Sequence, residues 1–231
     1  MTERALPVVL IHGALRSRMG LLPTAWALRL YGLEARTFGY PTRAGTLEEH
    51  ADRLADFLDR WRAGAPAWPV LGFLTHSMGG LVARAYLASE RARAQSHHQR
   101  VVMLAPPNRG AHLAERFGSL RPFHWLYGKA ATELSRERVR DLPRAPASAE
   151  VLILAGGKRP VGDEEPRGYA RWIPENNDGL VGVSETELPG APKPEMVYGA
   201  HSFLQWRPGV LDRAVRFLLE KQPRALPVGS T

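Results

Sequence analysis

Ser77, a group of late loop carboxylates and eight scattered histidines are the residues that give this 231-residue chain a chance at nucleophilic chemistry. Ser77 stands in Leu71-Gly72-Phe73-Leu74-Thr75-His76-Ser77-Met78-Gly79-Gly80-Leu81-Val82-Ala83-Arg84, an apolar run that ends at the serine and continues with helical periodicity. The pattern reads as strand, sharp turn and helix. Without side chains at Gly79 and Gly80 the helix packs closely on the preceding strand, and the turn lifts the hydroxyl clear of the sheet edge. The Met78 N–H, at the helix N-terminus, is aimed above that hydroxyl, where the helix dipole favours developing negative charge. A plainer reading makes Ser77 only a helix cap for Gly79 or Gly80. A serine hydroxyl is too weakly acidic to attack an ester unaided, so it needs a base, and the base needs a carboxylate to fix its tautomer. The late loop offers Asp163, Glu164, Glu165, Glu175 and Asp178 as acids.

With this elbow the chain resembles the α/β-hydrolase superfamily, and within it the small bacterial lipase and esterase group with an S-M-G-G elbow. The usual pattern is G-x-S-x-G; Thr75 occupies its first position here and is read as a tolerated variant. The resemblance covers most of the chain. His12-Gly13-Ala14-Leu15, directly after an apolar strand, is similar to the family's oxyanion loop, which implies Ala14 and Met78 as the two backbone donors, with His12 tying the loop in place. Pro106-Pro107-Asn108-Arg109-Gly110 looks like the family's P-N-x-G segment. Asn177-Asp178-Gly179-Leu180-Val181 matches its N-D-G-x-V acid segment, and His201-Ser202-Phe203 its histidine segment. The family's order of serine, acid and histidine then implies Ser77, Asp178 and His201, and the other histidines precede the acid.

What the resemblance implies is a serine carboxylic-ester hydrolase of the esterase or lipase kind, working through an acyl-enzyme without a cofactor or metal. Thioesterase, amidase or acyltransferase activity would use the same three groups. A non-catalytic ligand-binding protein on this fold is the alternative from another class. Haloalkane dehalogenases and epoxide hydrolases are disfavoured, because those relatives carry aspartate where Ser77 stands.

The elements that must position these groups alternate along the chain. Pro7 to Ile11 is continuously apolar, as in a central strand buried on both faces. Leu21 to Tyr31 reads as a helix ended by Gly32, with Leu22, Trp26, Arg29 and Leu30 at near-helical spacing, and Leu33 to Tyr40 as a strand. Thr46-Leu47-Glu48-Glu49 is a capping box that starts a helix carrying Leu47, Ala51, Leu54, Leu58 and Trp61 on one face. Ala63 to Pro69 is the loop before a strand over Val70 to Leu74. Further strands are expected at Val101 to Ala105, Val151 to Ala155 and Glu195 to Tyr198, and a last helix from Pro208 that buries Leu211, Val215 and Leu218. Such alternation predicts an α/β fold, a doubly wound and mostly parallel sheet with ligands at the carboxyl ends of its strands.

Residues 1–222 are expected to form one domain, with 223–231 a frayed tail. Residues 111–149 break the alternation and read as a short cap-like insertion above the site. Its Phe123-His124-Trp125-Leu126-Tyr127 run would line an acyl pocket, meet a lipid surface or simply pack on the domain. Leu15, Phe123, Trp125, Leu126 and Phe203 are the candidate substrate contacts.

Composition narrows the classes further. With 44% hydrophobic residues and no transmembrane-length apolar run, a globular protein is expected. Met1-Thr2-Glu3-Arg4 lacks the basic start and apolar core of a signal peptide, so a cytoplasmic location is expected. The chain has no cysteine, which rules out disulfides, thiolate catalysis and thiolate metal sites. The histidines show no metal-binding helical spacing. A net charge of +8 comes mainly from arginine, which outnumbers lysine 27 to 4 and is spread along the chain without stacking aromatics. That describes a solvated surface, so no nucleic-acid partner is expected. The expected partner is a small-molecule or lipid ester, with peripheral contact to a lipid interface; oligomeric state is left open.

Overall fold

The computed structural model describes residues 5–64, 68–95, 97–143, 149–162 and 167–220. The expected tail at 223–231 and the rival acids Asp163, Glu164 and Glu165 lie outside these. Six segments pair into one sheet: β1 Pro7–Ile11, β2 Glu34–Phe38, β3 Val70–His76, β4 His98–Leu104, β5 Ala149–Gly157 and β6 Glu195–Tyr198. Their order is β2-β1-β3-β4-β5-β6, and every neighbouring pair is parallel. Helices fill the connections in chain order: α1 Leu22–Leu30, α2 Leu47–Arg62, α3 Met78–Leu87, α4 Glu90–Arg93, α5 His112–Phe117, α6 Arg121–Tyr127, α7 Ala130–Glu133, α8 Arg136–Asp141 and α9 Pro208–Leu219. The strand-to-strand order reverses at β1 and β3, the topological switch point at which α/β folds place ligands.

The period of two in the strands splits the core into two layers. Val9, Ile11, Leu71, Phe73, Val101, Met103, Val151 and Ile153 pack with the inner faces of α2 and α3. Val8, Leu10, Leu74, Val102, Leu104, Leu152 and Leu154 turn the other way, toward α1 and α9. This is why the central strands read as unbroken apolar runs: both faces are covered. In α2 all five expected core residues are buried, while Glu48, Arg53 and Arg60 are exposed. The helix starts where its capping box predicts. Thr46 Oγ1 accepts the Glu49 N–H at 3.2 Å and Glu49 Oε2 accepts the Thr46 N–H at 3.0 Å, a device worth about 1 kcal/mol.

Several boundaries differ from those expected. β3 runs on to His76, β4 begins at His98 and β5 spans Ala149–Gly157, because pairing with neighbours extends each strand into polar residues that have no strand pattern. In α9 the buried residues are Val210, Ala214, Val215 and Leu218, and Leu211 is half-buried at the edge of the contact face. In α1 the buried face is Thr24, Ala25 and Leu28. Leu22, Trp26 and Leu30 form an exposed stripe, since close packing on β1 and β2 selects the smaller side. Between β4 and β5, where the alternation breaks, the chain forms the four short helices α5–α8. Among the described residues no helix is long and apolar enough to cross a membrane.

Candidate active site

β1, β3 and β4 all end in strained turns. The non-glycine residues with positive φ among those described are Leu15 (56°), Ser77 (55°) and Ala105 (44°), each just beyond a central strand. Such strain costs of order 1–3 kcal/mol per residue and persists only where the surroundings enforce it. At Ser77 the enforcement is visible. Its N–H donates to Leu104 O across the sheet at 2.9 Å, and its own carbonyl accepts the Gly80 N–H at 2.9 Å. Ser77 caps α3 without any side-chain hydrogen bond, which leaves the hydroxyl free of that role.

The glycines around the elbow answer a space requirement. A Cβ on Gly79 would lie 2.5 Å from Ile11 O and 2.8 Å from His12 O. One on Gly13 would lie 2.8 Å from Ser77 Cβ. Thr75, in place of the usual glycine, is fully buried and donates its hydroxyl to Val102 O at 3.2 Å. A Cβ on Gly80 would lie 3.0 Å from the Pro106 Cβ and 3.4 Å, close to ordinary contact, from Thr75 Oγ1. The threonine is thus accommodated by the hydrogen bond to the neighbouring strand.

The loop after β1 is fixed from below by His12 and Tyr40. The Tyr40 hydroxyl donates to His12 O at 2.7 Å, the Tyr40 N–H reaches His12 Nε2 at 3.4 Å, and the rings stack with centroids 4.5 Å apart. With Nε2 accepting, the proton sits on Nδ1, which is 3.0 Å from Gly13 O. Burial lowers the proton affinity of this imidazole, so the neutral tautomer is the stable one. Leu15 N–H donates to Thr42 Oγ1 at 3.2 Å, holding the far end of the loop. Among the described residues neither the Ala14 N–H nor the Met78 N–H has a hydrogen-bond acceptor.

Asp178 and His201 meet directly. Asp178 Oδ2 lies 2.6 Å from His201 Nδ1, and both side chains are buried. The other carboxylate oxygen accepts the N–H groups of Leu180 (3.0 Å) and Val181 (2.9 Å), and the His201 N–H donates to Asp178 O at 2.9 Å. Asn177, fully buried, anchors this loop: its Oδ1 accepts from Tyr169, Ala170 and Gly179, and its Nδ2 donates to the carbonyls of Arg167, Ala170 and Glu175. Glu175, a rival acid by sequence, is bonded instead to the Ser184 N–H and hydroxyl.

Ser77 and His201 line one small cavity of about 50 Å³, with Ala14, Arg16, His76, Pro107, Ala111, Leu113, Tyr127, Leu134, Leu180 and Val181 completing its wall. None of Leu15, Phe123, Trp125, Leu126 and Phe203 reaches it. Trp125 is 77% exposed, and Leu15, Leu126 and Phe203 are exposed as well. The reason is helical phase. In α6, Phe123 and Tyr127 share one face and stack at 4.4 Å, whereas Trp125 and Leu126 turn outward. Arg16 and His76 are not legible in the sequence as wall residues, although His76 flanks the elbow serine and Arg16 follows Ala14 by two residues; Tyr127 belongs to the run read as an acyl-pocket lining but is not among the candidate contacts.

His76 is buried behind His201. Its Nε2 lies 2.9 Å from His201 O, and the two rings are 4.7 Å apart. Burial first, then the neighbouring His201, lowers its pKa to about 3. Burial likewise lowers His50 to about 4; neither of its ring nitrogens has a hydrogen-bond partner among the described residues. Both are depressed below the unfolded value near 6.5, so as pH falls from 6.5 the unfolded chain gains protons that the folded chain refuses. Stability is therefore expected to fall by about 1.4 kcal/mol per pH unit for each histidine between pH 6.5 and 4. Urea midpoints measured across that window should drop steadily, and His50→Phe should reduce the slope. A midpoint independent of pH there would contradict these burial assignments.

A scan against family models finds no match, and neither does a search of curated proteins. Solved structures do match, and they define the class of fold: a parallel six-stranded sheet flanked by helices, as in α/β-hydrolases. The mature lipase BlEst2 of Bacillus licheniformis is 19% identical, over 87% of this chain and 86% of its own, with a TM-score of 0.66. The metagenomic carboxyl esterase MGS0156 is 22% identical over 87% of this chain and 66% of its own, with a TM-score of 0.62. The RedJ thioesterase of Streptomyces coelicolor prodiginine biosynthesis is 19% identical over 92% and 89%, with a TM-score of 0.55. At these identities the likeness is one of fold.

Proposed function

We propose that this protein is a serine hydrolase of carboxylic esters that works through an acyl-enzyme. The observation that carries the reading is the Asp178–His201 pair, 2.6 Å apart, whose histidine lines the same cavity as the strained Ser77. The carboxylate holds the Nδ1 proton and thereby leaves Nε2 as the base. His201 takes the Ser77 proton as Oγ attacks the substrate carbonyl, and the free N–H groups of Ala14 and Met78 receive the oxyanion. The C–O bond to the alcohol breaks as His201 returns the proton to it. Water then repeats the sequence on the acyl-enzyme, releasing the acid and freeing Ser77.

The small, largely apolar wall of Pro107, Ala111, Leu113, Tyr127 and Leu134 favours a short acyl group. Hydrolysis of p-nitrophenyl esters from acetate to palmitate tests this directly. The expected result is measurable turnover with kcat/KM highest at two to four acyl carbons and falling by at least about tenfold at eight, because longer chains leave the cavity. An optimum at long chains would overturn the assigned acyl pocket. A wild type inert to all these esters would overturn the ester reading, and the matching thioester series would then show whether a thioesterase remains.

A further inference from the structure

The wall beside Ser77 is apolar except on the side of His201, where Arg16 reaches the cavity from the loop between β1 and α1. Arg16 Nη2 donates to Ser202 Oγ at 2.5 Å, and Ser202 directly follows His201. The guanidinium is thus tethered next to the group that returns the proton to the departing alcohol. Among the described residues no carboxylate pairs with Arg16, and no acidic side chain other than Asp178, behind His201, belongs to this part of the site. Burial sets the proton affinities of the neighbouring His76 and Tyr127, lowering the first pKa and raising the second, and the Arg16 charge is a smaller influence on both.

This placement has an electrostatic consequence. Arg16 is exposed to solvent, so its charge is partly screened, but its hydrogen bond to Ser202 keeps the guanidinium on the His201 side of the cavity with no carboxylate of its own among the described residues. Asp178 serves His201 from the opposite ring nitrogen and is already satisfied by two backbone donors. An anionic group of a substrate entering at the Arg16 side of the cavity would supply the missing partner, and with the acyl group in the apolar wall that group belongs to the alcohol. A guanidinium there offers paired donors to a carboxylate or a phosphate.

We propose that Arg16 is a specificity-determining residue that selects esters whose leaving group carries a negative charge. The inference rests on the ester-hydrolase reading and names the substrate class that such an enzyme would take. Three acetate esters of similar size test it: 4-acetoxybenzoate, 4-acetoxyphenyl phosphate and the neutral 4-acetoxybenzamide. In 50 mM salt the wild type should show a kcat/KM about five- to tenfold higher for at least one anionic ester than for the amide, the scale of one charge-assisted contact at a partly exposed site. Which of the two anions leads distinguishes carboxylate from phosphate recognition. Arg16→Gln should bring that ratio to about one, Arg16→Glu below one, and 0.5 M NaCl should shrink the wild-type ratio through screening.

A wild-type ratio near one, or a ratio that survives Arg16→Gln, overturns the role of Arg16 while the hydrolase reading stands on the turnover itself. Turnover of none of the three esters overturns both together. A merely structural Arg16 would lower all three rates in parallel and leave the ratio and its salt dependence unmoved.

Discussion

Replacing Ser77 by alanine is expected to lower the kcat for ester hydrolysis by about a millionfold, leaving only the rate that binding and the backbone donors sustain. The size of the effect follows from the absence of any substitute nucleophile. The cavity holds no cysteine, lysine or threonine; its other polar side chains are His76, His201, Arg16 and the Tyr127 phenol, whose pKa burial raises, so it stays protonated and a poor nucleophile. Asp178→Asn should cost about 10⁴-fold, because an amide at 2.6 Å from Nδ1 no longer demands that Nδ1 carry the proton, and Nε2 ceases to be the base. The two losses should not add, since a base without its nucleophile has nothing to deprotonate. Stopped-flow or endpoint assays on p-nitrophenyl acetate, with each variant checked for folding by circular dichroism, measure this. A folded Ser77→Ala protein with a tenth of wild-type activity would remove Ser77 from the mechanism.

Gly79→Ala is expected to damage stability and activity together, although Gly79 itself carries no chemistry. Its added methyl would meet Ile11 O at 2.5 Å and His12 O at 2.8 Å, both backbone atoms at the end of β1 that no rotamer change can move. Either α3 must tilt away from the sheet or the β1 end must shift, and overpacking of this kind costs about 1–3 kcal/mol. The displaced segment leads straight into Gly13 and Ala14, so one of the free N–H groups moves relative to Ser77. A misplacement of about 1 Å in such a constellation costs on the order of 10²-fold in kcat. Gly209→Ala, in α9, provides the control: nothing lies within 4 Å of its added Cβ. That variant should keep wild-type kcat and gain a few tenths to about 1 kcal/mol from the lower entropy of its unfolded chain. Thermal melts and p-nitrophenyl acetate kinetics on both variants separate close packing from a general intolerance of glycine substitution. Wild-type kcat in Gly79→Ala would show that the β1 end tolerates the shift.

The strand and helix alternation was open to a reading of the chain because burial on two faces leaves apolar runs such as Val8-Val9-Leu10-Ile11, and burial on one face leaves the stripe of α2. The capping box at Thr46 and the glycines after Ser77 are equally local, since each answers a backbone requirement within a few residues. The choice of Ser77, Asp178 and His201 comes from the resemblance and its order of serine, acid and histidine, not from any local pattern. Wall residues were harder to read. Trp125 and Leu126 attract notice as large apolar side chains, yet their helical phase turns them to solvent, and Tyr127 from the same run reaches the cavity. In α1 the larger apolar stripe lies outside for a comparable reason, because the sheet accepts only the face of Ala25 and Leu28.

Local backbone chemistry and hydrophobic period thus carry the elements, the elbow and the carboxyl-end loops, since each depends on neighbours a few positions away. The contacts that span long separations arose only when the sheet closed. Tyr40 bonds to His12, Arg16 to Ser202 across 186 positions, His76 to the carbonyl of His201, and Asp178 rather than Glu175 meets the histidine. No periodicity encodes such pairs, because what brings them together is the register of parallel strands and the packing of loops above their ends.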